Sequence, residues 1–264
     1  MSSLLQFAWL VALVLSVTWA VRIWKLNLLR RYPVLFTYLV VTVSFDLLGN
    51  LFYRSRGLTS YNLLYDLLWV VMTPVNWLLL FALVFEVYGH MLEQYPGVRK
   101  LGRLVLYVGL CGLGLVVGVL FFLHPYPIPD LDLWKSFWLK QEQSVYLAIA
   151  GLVFILLLFK RMFSLVVSKN AQLVFTAFGL YFAGFAALMV VRTYVGPGFR
   201  PIRDLVGMAL YIAALTAGNF LFSRAGEVAT AGAAPDLARR PEMAAHAARH
   251  LQSFNDRLVR VLNA

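Results

Sequence analysis

The chain has 264 residues, 61% of them hydrophobic and only 13% charged, with a formal net charge of +11. About a quarter of the residues in a soluble domain are charged, so this composition excludes an ordinary soluble globular protein. The basic residues are dispersed among short loops rather than gathered in a patch. That argues against a nucleic-acid partner and assigns the charge to membrane topology and anionic lipid. The single cysteine, Cys111, leaves no intrachain disulfide to form.

Seven apolar stretches follow in chain order: Leu4–Trp24, Pro33–Tyr53, Asn62–Tyr88, Leu101–Leu123, Gln143–Phe163, Ala171–Thr193 and Asp204–Ser223. A bilayer core needs about 20 apolar residues in a helix, and each stretch meets or approaches that length. The expectation is an all-α polytopic membrane protein. Residues 1–223 form a seven-helix transmembrane domain, and 224–264 a cytoplasmic linker and tail. The first stretch has no basic residues before it and is followed by Arg22-Ile23-Trp24-Lys25 instead of a small-residue cleavage site. It reads as a true span rather than a signal peptide.

Orientation follows from the basic residues. The first, third and fifth loops and the tail hold sixteen Lys and Arg, while the opposite side holds seven. The positive-inside rule then puts the N-terminus outside and the tail in the cytoplasm, in a bacterial inner membrane.

Pro33 opens the second span, where a missing N–H costs nothing. The third carries Thr73-Pro74 in its interior, a kink signal at which the threonine can re-satisfy the freed backbone. Gly114 and Gly118 in the fourth span allow close helix approach. The loop His124–Glu142 begins with three prolines. Its Trp134 and Trp138 suit a short helix lying in the headgroup region. Beyond Ser223, Ala225–Pro235 reads as an Ala/Gly-rich linker. From Pro241 an amphipathic tail helix is expected, its apolar stripe formed by Leu251, Phe254, Leu258 and Leu262. It suits the inner leaflet, the bundle, or a cytoplasmic partner.

Ionisable residues inside spans raise a functional hypothesis because they are expensive there. Asp46 stands in the second span with Asn50 one turn on; Asp66 enters the third; Arg192 ends the sixth, and Arg203 opens the seventh. Together Asp46, Asn50, Asp66, Arg192 and Arg203 could line an outward polar cavity for an anionic or zwitterionic small ligand or lipid headgroup. The competing reading pairs the aspartates with Arg54 or Arg192 purely for packing. Asn76, Gln172 and Asn219 are expected to hydrogen-bond between helices, and Glu86 to reach water or a first-loop arginine.

Catalytic signatures are missing. His246 and His250 are four apart but lack the glutamate of a zinc-protease motif, no histidine sits mid-span for haem, and no nucleophile elbow or phosphate loop occurs. No cofactor and no metal are expected. The run Tyr65-Asp66-Leu67-Leu68-Trp69-Val70-Val71-Met72-Thr73-Pro74 is similar to the third helix of microbial rhodopsins. Those pigments need a lysine in the last helix for retinal, and Asp204–Ser223 has none. In layout alone the chain is similar to the seven-helix sensor regions that precede kinase or cyclase modules in bacterial signalling proteins. The expected function is a receptor-like or accessory module that senses a small ligand or lipid from outside and relays through the tail. A small-solute transporter is the first alternative, and an intramembrane lipid-modifying enzyme using Asp46 and Asp66 the second.

Overall fold

A computed structural model of the chain describes residues 3–54, 59–93, 107–108, 111, 133–163 and 167–227, together with tail positions 249, 252, 253, 256 and 260. The structure is helical throughout its long elements: α1 (Ser3–Lys25), α2 (Pro33–Arg54), α3 (Thr59–Met91), α4 (Leu133–Phe163), α5 (Lys169–Val195) and α6 (Arg200–Leu221). Short 3-10 turns, Pro197–Phe199 and Ala225–Glu227, flank α6. Six of these helices are long and apolar enough to cross a membrane, so the chain is an integral multi-pass membrane protein by length and composition.

Its outer surface agrees with that assignment. Phe7, Trp24, Leu78, Leu180 and Phe220 are each more than 60% exposed, and on α1 the exposed Leu10, Val14, Val17 and Val21 recur every three or four residues. Water would penalise such a stripe, whereas lipid tails accept it.

α6 packs most extensively against α5, then α1, while α2 packs against α3 and α1, and α5 against α4. Small residues permit the closest approaches. A Cβ at Gly218 would run into the indole of Trp19, and one at Gly207 would meet the Phe185 ring at 2.7 Å. Trp19 is fully buried, stacked on Phe178 at 5.8 Å and edge-on to Phe222 at 6.0 Å. Asn219 donates to the Leu15 carbonyl at 2.8 Å, tying α6 to α1 as an interhelical polar bond.

Two features bear on topology. The turn after α1 reverses through Asn27, at φ 56°, a left-handed conformation that asparagine tolerates. α3 and α4 run parallel. The C-terminal end of α3 meets the start of α2 through an Arg31–Glu93 pair, and the chain leaving α4 returns to that same end at Ser168, 3.5 Å from the Tyr32 hydroxyl. At the other end, Glu142 near the start of α4 lies within electrostatic reach of Arg203 and Arg192. The two ends are named below for Arg31 and Arg203.

The structure differs from the sequence reading in the stretch before α4. Instead of a separate interfacial helix followed by a span from Gln143, one unbroken helix runs from Leu133 to Phe163. With no proline between Pro129 and the end of the helix at Phe163, nothing in the backbone interrupts it. α3 likewise continues through Pro74. The fourth span, Leu101–Leu123, and its Gly114/Gly118 pair fall outside the described residues except at Tyr107, Val108 and Cys111, which are helical and exposed. The amphipathic tail helix is described only at five helical, exposed positions.

Candidate functional site

A cavity of about 160 Å³ lies between α2, α3 and α4. Its polar lining comes from Thr42 of α2, Thr73, Asn76 and Trp77 of α3, and Glu142 and Tyr146 of α4; Val41, Phe45 and Met72 supply apolar wall. The Thr42 hydroxyl and the Asn76 carbonyl oxygen are buried without a hydrogen-bond partner. Such orphans are rare in folded proteins and costly in a membrane. Behind Glu142 lies a layer of buried phenols. Tyr146 sits edge-on to Tyr181 at 6.4 Å, and Tyr181 lies 5.4 Å from Tyr211. Tyr38 faces Tyr211 and Thr42, although the Tyr211 and Thr42 hydroxyls find no partner at hydrogen-bonding geometry.

On the far side of Glu142, the Arg203 end is strongly charged. Arg203 is forked onto Asp204, donating from Nε at 2.8 Å and again from Nη2, while Arg200 Nε stands 3.8 Å from the other oxygen of Asp204. One Arg203 Nη reaches Met189 Sδ at 3.8 Å. Arg192 is the odd group: its Nη1 is buried and unpartnered.

The Arg31 end is a closed polar network. Arg31 grips Glu93 through both terminal nitrogens, one bond at 2.7 Å, and donates from Nε to Glu227 at 3.3 Å. The Glu93 hydrogen bond is the main reason the Arg31 guanidinium is held above its ordinary pKa. Glu227 also accepts from the Tyr32 hydroxyl at 2.9 Å and from Asn170 Nδ2 at 2.6 Å. Asn170, fully buried, donates to the Ser223 carbonyl and accepts from the Ser223 amide at 3.1 Å. Gly226 is required here, since a Cβ would collide with Asn170 Oδ1. Arg22 donates to the Phe222 carbonyl at 2.8 Å. The root of the tail is thereby clasped to α1, α2 and α5.

The five residues expected to line one outer cavity are distributed differently. Arg192 and Arg203 do come together, close enough to influence each other and Glu142 electrostatically. Asp46 faces the Trp9 indole of α1, and among the described side chains it meets no arginine. Asn50 is half-buried on α2. The Asp66 side chain lies outside the described residues. Of the kink pair, Thr73 lines the cavity and Pro74 does not. Glu86, half-buried, is taken up by the backbone instead of a first-loop arginine: its two oxygens accept from the Val34 and Leu35 amides at 2.8 and 3.0 Å, capping α2. Gln172 is exposed, so it makes no buried interhelical bond.

Sequence reasoning missed Glu142 and Glu227. Glu142 was counted in a loop because the apolar run starts one residue later, and Glu227 falls in a stretch that reads as linker. An available signal for Glu142 was its four-residue spacing to Tyr146, which puts both on one helix face. Among the described residues no group of His, Cys, Asp and Glu could hold a metal ion. No family model, no curated protein and no solved structure matches this chain.

Proposed function

We propose that the chain is a seven-span, receptor-like module of a bacterial cytoplasmic membrane, with its N-terminus outside and its tail in the cytoplasm. It binds a small anionic or zwitterionic ligand or headgroup from the outer side and passes that event to the tail. The observation that carries this reading is the cavity between α2, α3 and α4, whose polar lining includes Glu142 and the unpartnered Thr42 and Asn76. A membrane protein retains such groups where something else completes their hydrogen bonds.

Further support comes from both ends. The parallel course of α3 and α4 suits a further crossing between them. The intervening segment contains the apolar run Leu101–Leu123, and its Tyr107 stacks on Phe85 of α3 at 5.0 Å. These features favour a seventh crossing and opposite sides for the two termini. The basic Arg31 end is then cytoplasmic, and Glu227 stands where the tail leaves the bundle.

The test uses the Cys111→Ser protein carrying Ala264→Cys labelled with an environment-sensitive fluorophore, in lipid nanodiscs. A saturable change in tail emission with a polar ligand panel, with no flux of that ligand into proteoliposomes, is the expected result. Silence in both assays, with no ligand-dependent change in thermal stability, overturns the reading. Flux is the mark of the transporter alternative, and one observation favours it. Thr42 lies nine residues beyond Pro33, about 14 Å along α2, near the midplane of a core about 30 Å thick. Carriers hold their substrates at that depth.

A further inference from the structure

The lining of the cavity is chemically one-sided. Glu142 brings a carboxylate, Asn76 a carbonyl oxygen, and Thr42 and Thr73 hydroxyls; among the described residues no lysine or arginine lines the cavity. The Thr42 and Asn76 oxygens have no partner, so the cavity asks for a group rich in N–H donors. The arginines nearest Glu142 do not meet that demand. Arg203 is engaged by Asp204, and Arg192 and Arg203 approach from α5 and α6, whereas the cavity lies toward α2 and α3. The volume, about 160 Å³, is close to the roughly 150 Å³ cavity known to take a benzene-sized guest.

We infer that this cavity binds a primary ammonium group, belonging to a small free amine or to an ethanolamine-type zwitterion, with Glu142 as counter-ion and Asn76 and Thr42 as hydrogen-bond acceptors. The inference rests on the ligand-binding reading above, keeping its zwitterionic ligand, adding the free amine and dropping the purely anionic one. An ammonium carries three donors, which matches these three acceptors. A quaternary ammonium has none and leaves the orphans unsatisfied. Among the described residues, the charged groups facing Glu142 from the neighbouring helices are Arg192 from α5, and Arg203 and Asp204 from α6.

The experiment is thermal unfolding of the full-length protein in phosphatidylglycerol nanodiscs at constant ionic strength. The probes are ethylammonium, phosphoethanolamine, tetramethylammonium and inorganic phosphate; a parallel preparation contains phosphatidylethanolamine without added probe. A ligand that binds only the folded state raises Tm by mass action. The expected result is a saturable rise with ethylammonium and with phosphoethanolamine, and none with tetramethylammonium. Apparent affinity falls at least tenfold in Glu142→Gln and in Asn76→Leu, as losing a hydrogen bond to a charged group demands. A rise seen with the soluble probes identifies a free amine or zwitterion, and one seen only with phosphatidylethanolamine identifies the lipid headgroup; either supports the inference. If Glu142→Gln does not fold, Asn76→Leu and Thr42→Val carry the same comparison. An equal response to tetramethylammonium, or affinity unchanged in the folded variants, overturns the ammonium assignment. A response to phosphate alone overturns it too, while leaving the ligand-binding reading intact. No response to any probe or lipid removes both.

Discussion

Tyr32 donates its hydroxyl to Glu227 at 2.9 Å, across 195 positions of the chain. That bond joins the residue preceding α2 to the root of the tail, and the same carboxylate holds Asn170 of α5 and Arg31 of the first turn. Movement of the tail root therefore cannot occur without breaking contacts to three separate parts of the bundle. Glu227→Ala removes one acceptor from each of these donors, while Arg31 keeps Glu93 and Asn170 keeps the Ser223 carbonyl. Losing hydrogen bonds to a partly buried charged group costs about 2 kcal/mol, the Arg31 component being discounted for its exposure. Limited proteolysis of the tail is expected to accelerate in this variant while the transmembrane bundle stays intact. Unchanged cleavage would mean that Glu227 does not anchor the tail.

The same clasp gives a pH dependence. Burial pushes the Tyr32 phenol above its ordinary value, so the folded state keeps that proton after an unfolded chain, with a phenol near about 10, has lost it. Below pH 10 both states are protonated and Tyr32 contributes no slope. Above it, the unfolded state binds fewer protons, and stability falls by up to about 1.4 kcal/mol per pH unit. Arg31 is raised as well, which puts its titration beyond that range. Thermal unfolding between pH 9 and 11 should show a shallower decline for Tyr32→Phe than for wild type. Parallel curves would exclude Tyr32 as a source of the slope.

Six of the expected spans were legible because length and apolarity alone identify a membrane helix; the observed helices begin and end within a few residues of the apolar runs, α4 excepted. What was not legible is the rotation of each helix about its axis. In a soluble helix the polar face reveals which side points inward. Here Leu, Val and Phe surround α1, α3 and α5, so the sequence carries little information on facing. Asp46, the most conspicuous buried charge, turned toward Trp9, and the cavity formed around Glu142 instead. The polar bonds of the Arg31 end were equally hidden. They join residues from four distant segments, and neither Asn170 nor Glu227 sits in a pattern that announces a partner.

Glu86 is a further example, and it yields its own test. Pro33 has no N–H to satisfy, so the first free amides of α2 are those of Val34 and Leu35, and Glu86 takes one with each oxygen. A carboxylate at a helix N-terminus satisfies orphan donors and opposes the positive end of the helix dipole. Replacement by alanine leaves both amides bare and should cost about 2 kcal/mol, within the upper range for losing a cap. Glutamine keeps one acceptor oxygen and should cost about half as much. Equal melting temperatures for Glu86→Ala and wild type would show that water replaces the carboxylate, placing this end of α2 in the aqueous interface rather than the membrane.

The parity of the bundle can be tested directly. Because α3 and α4 run parallel, the segment between them either crosses the membrane or the seven-span reading fails. With Cys111→Ser as background, Ser2→Cys should react with a membrane-impermeant maleimide in intact cells, and Ala264→Cys only after permeabilisation. The native Cys111, exposed on its helix, should resist the aqueous reagent in both conditions and react once detergent strips the lipid, since its exposure is then to hydrocarbon rather than water. Labelling of both engineered positions from the same side would require an even number of crossings. It would also remove the argument that binding at the Arg203 end and the clasp at the Arg31 end face different compartments.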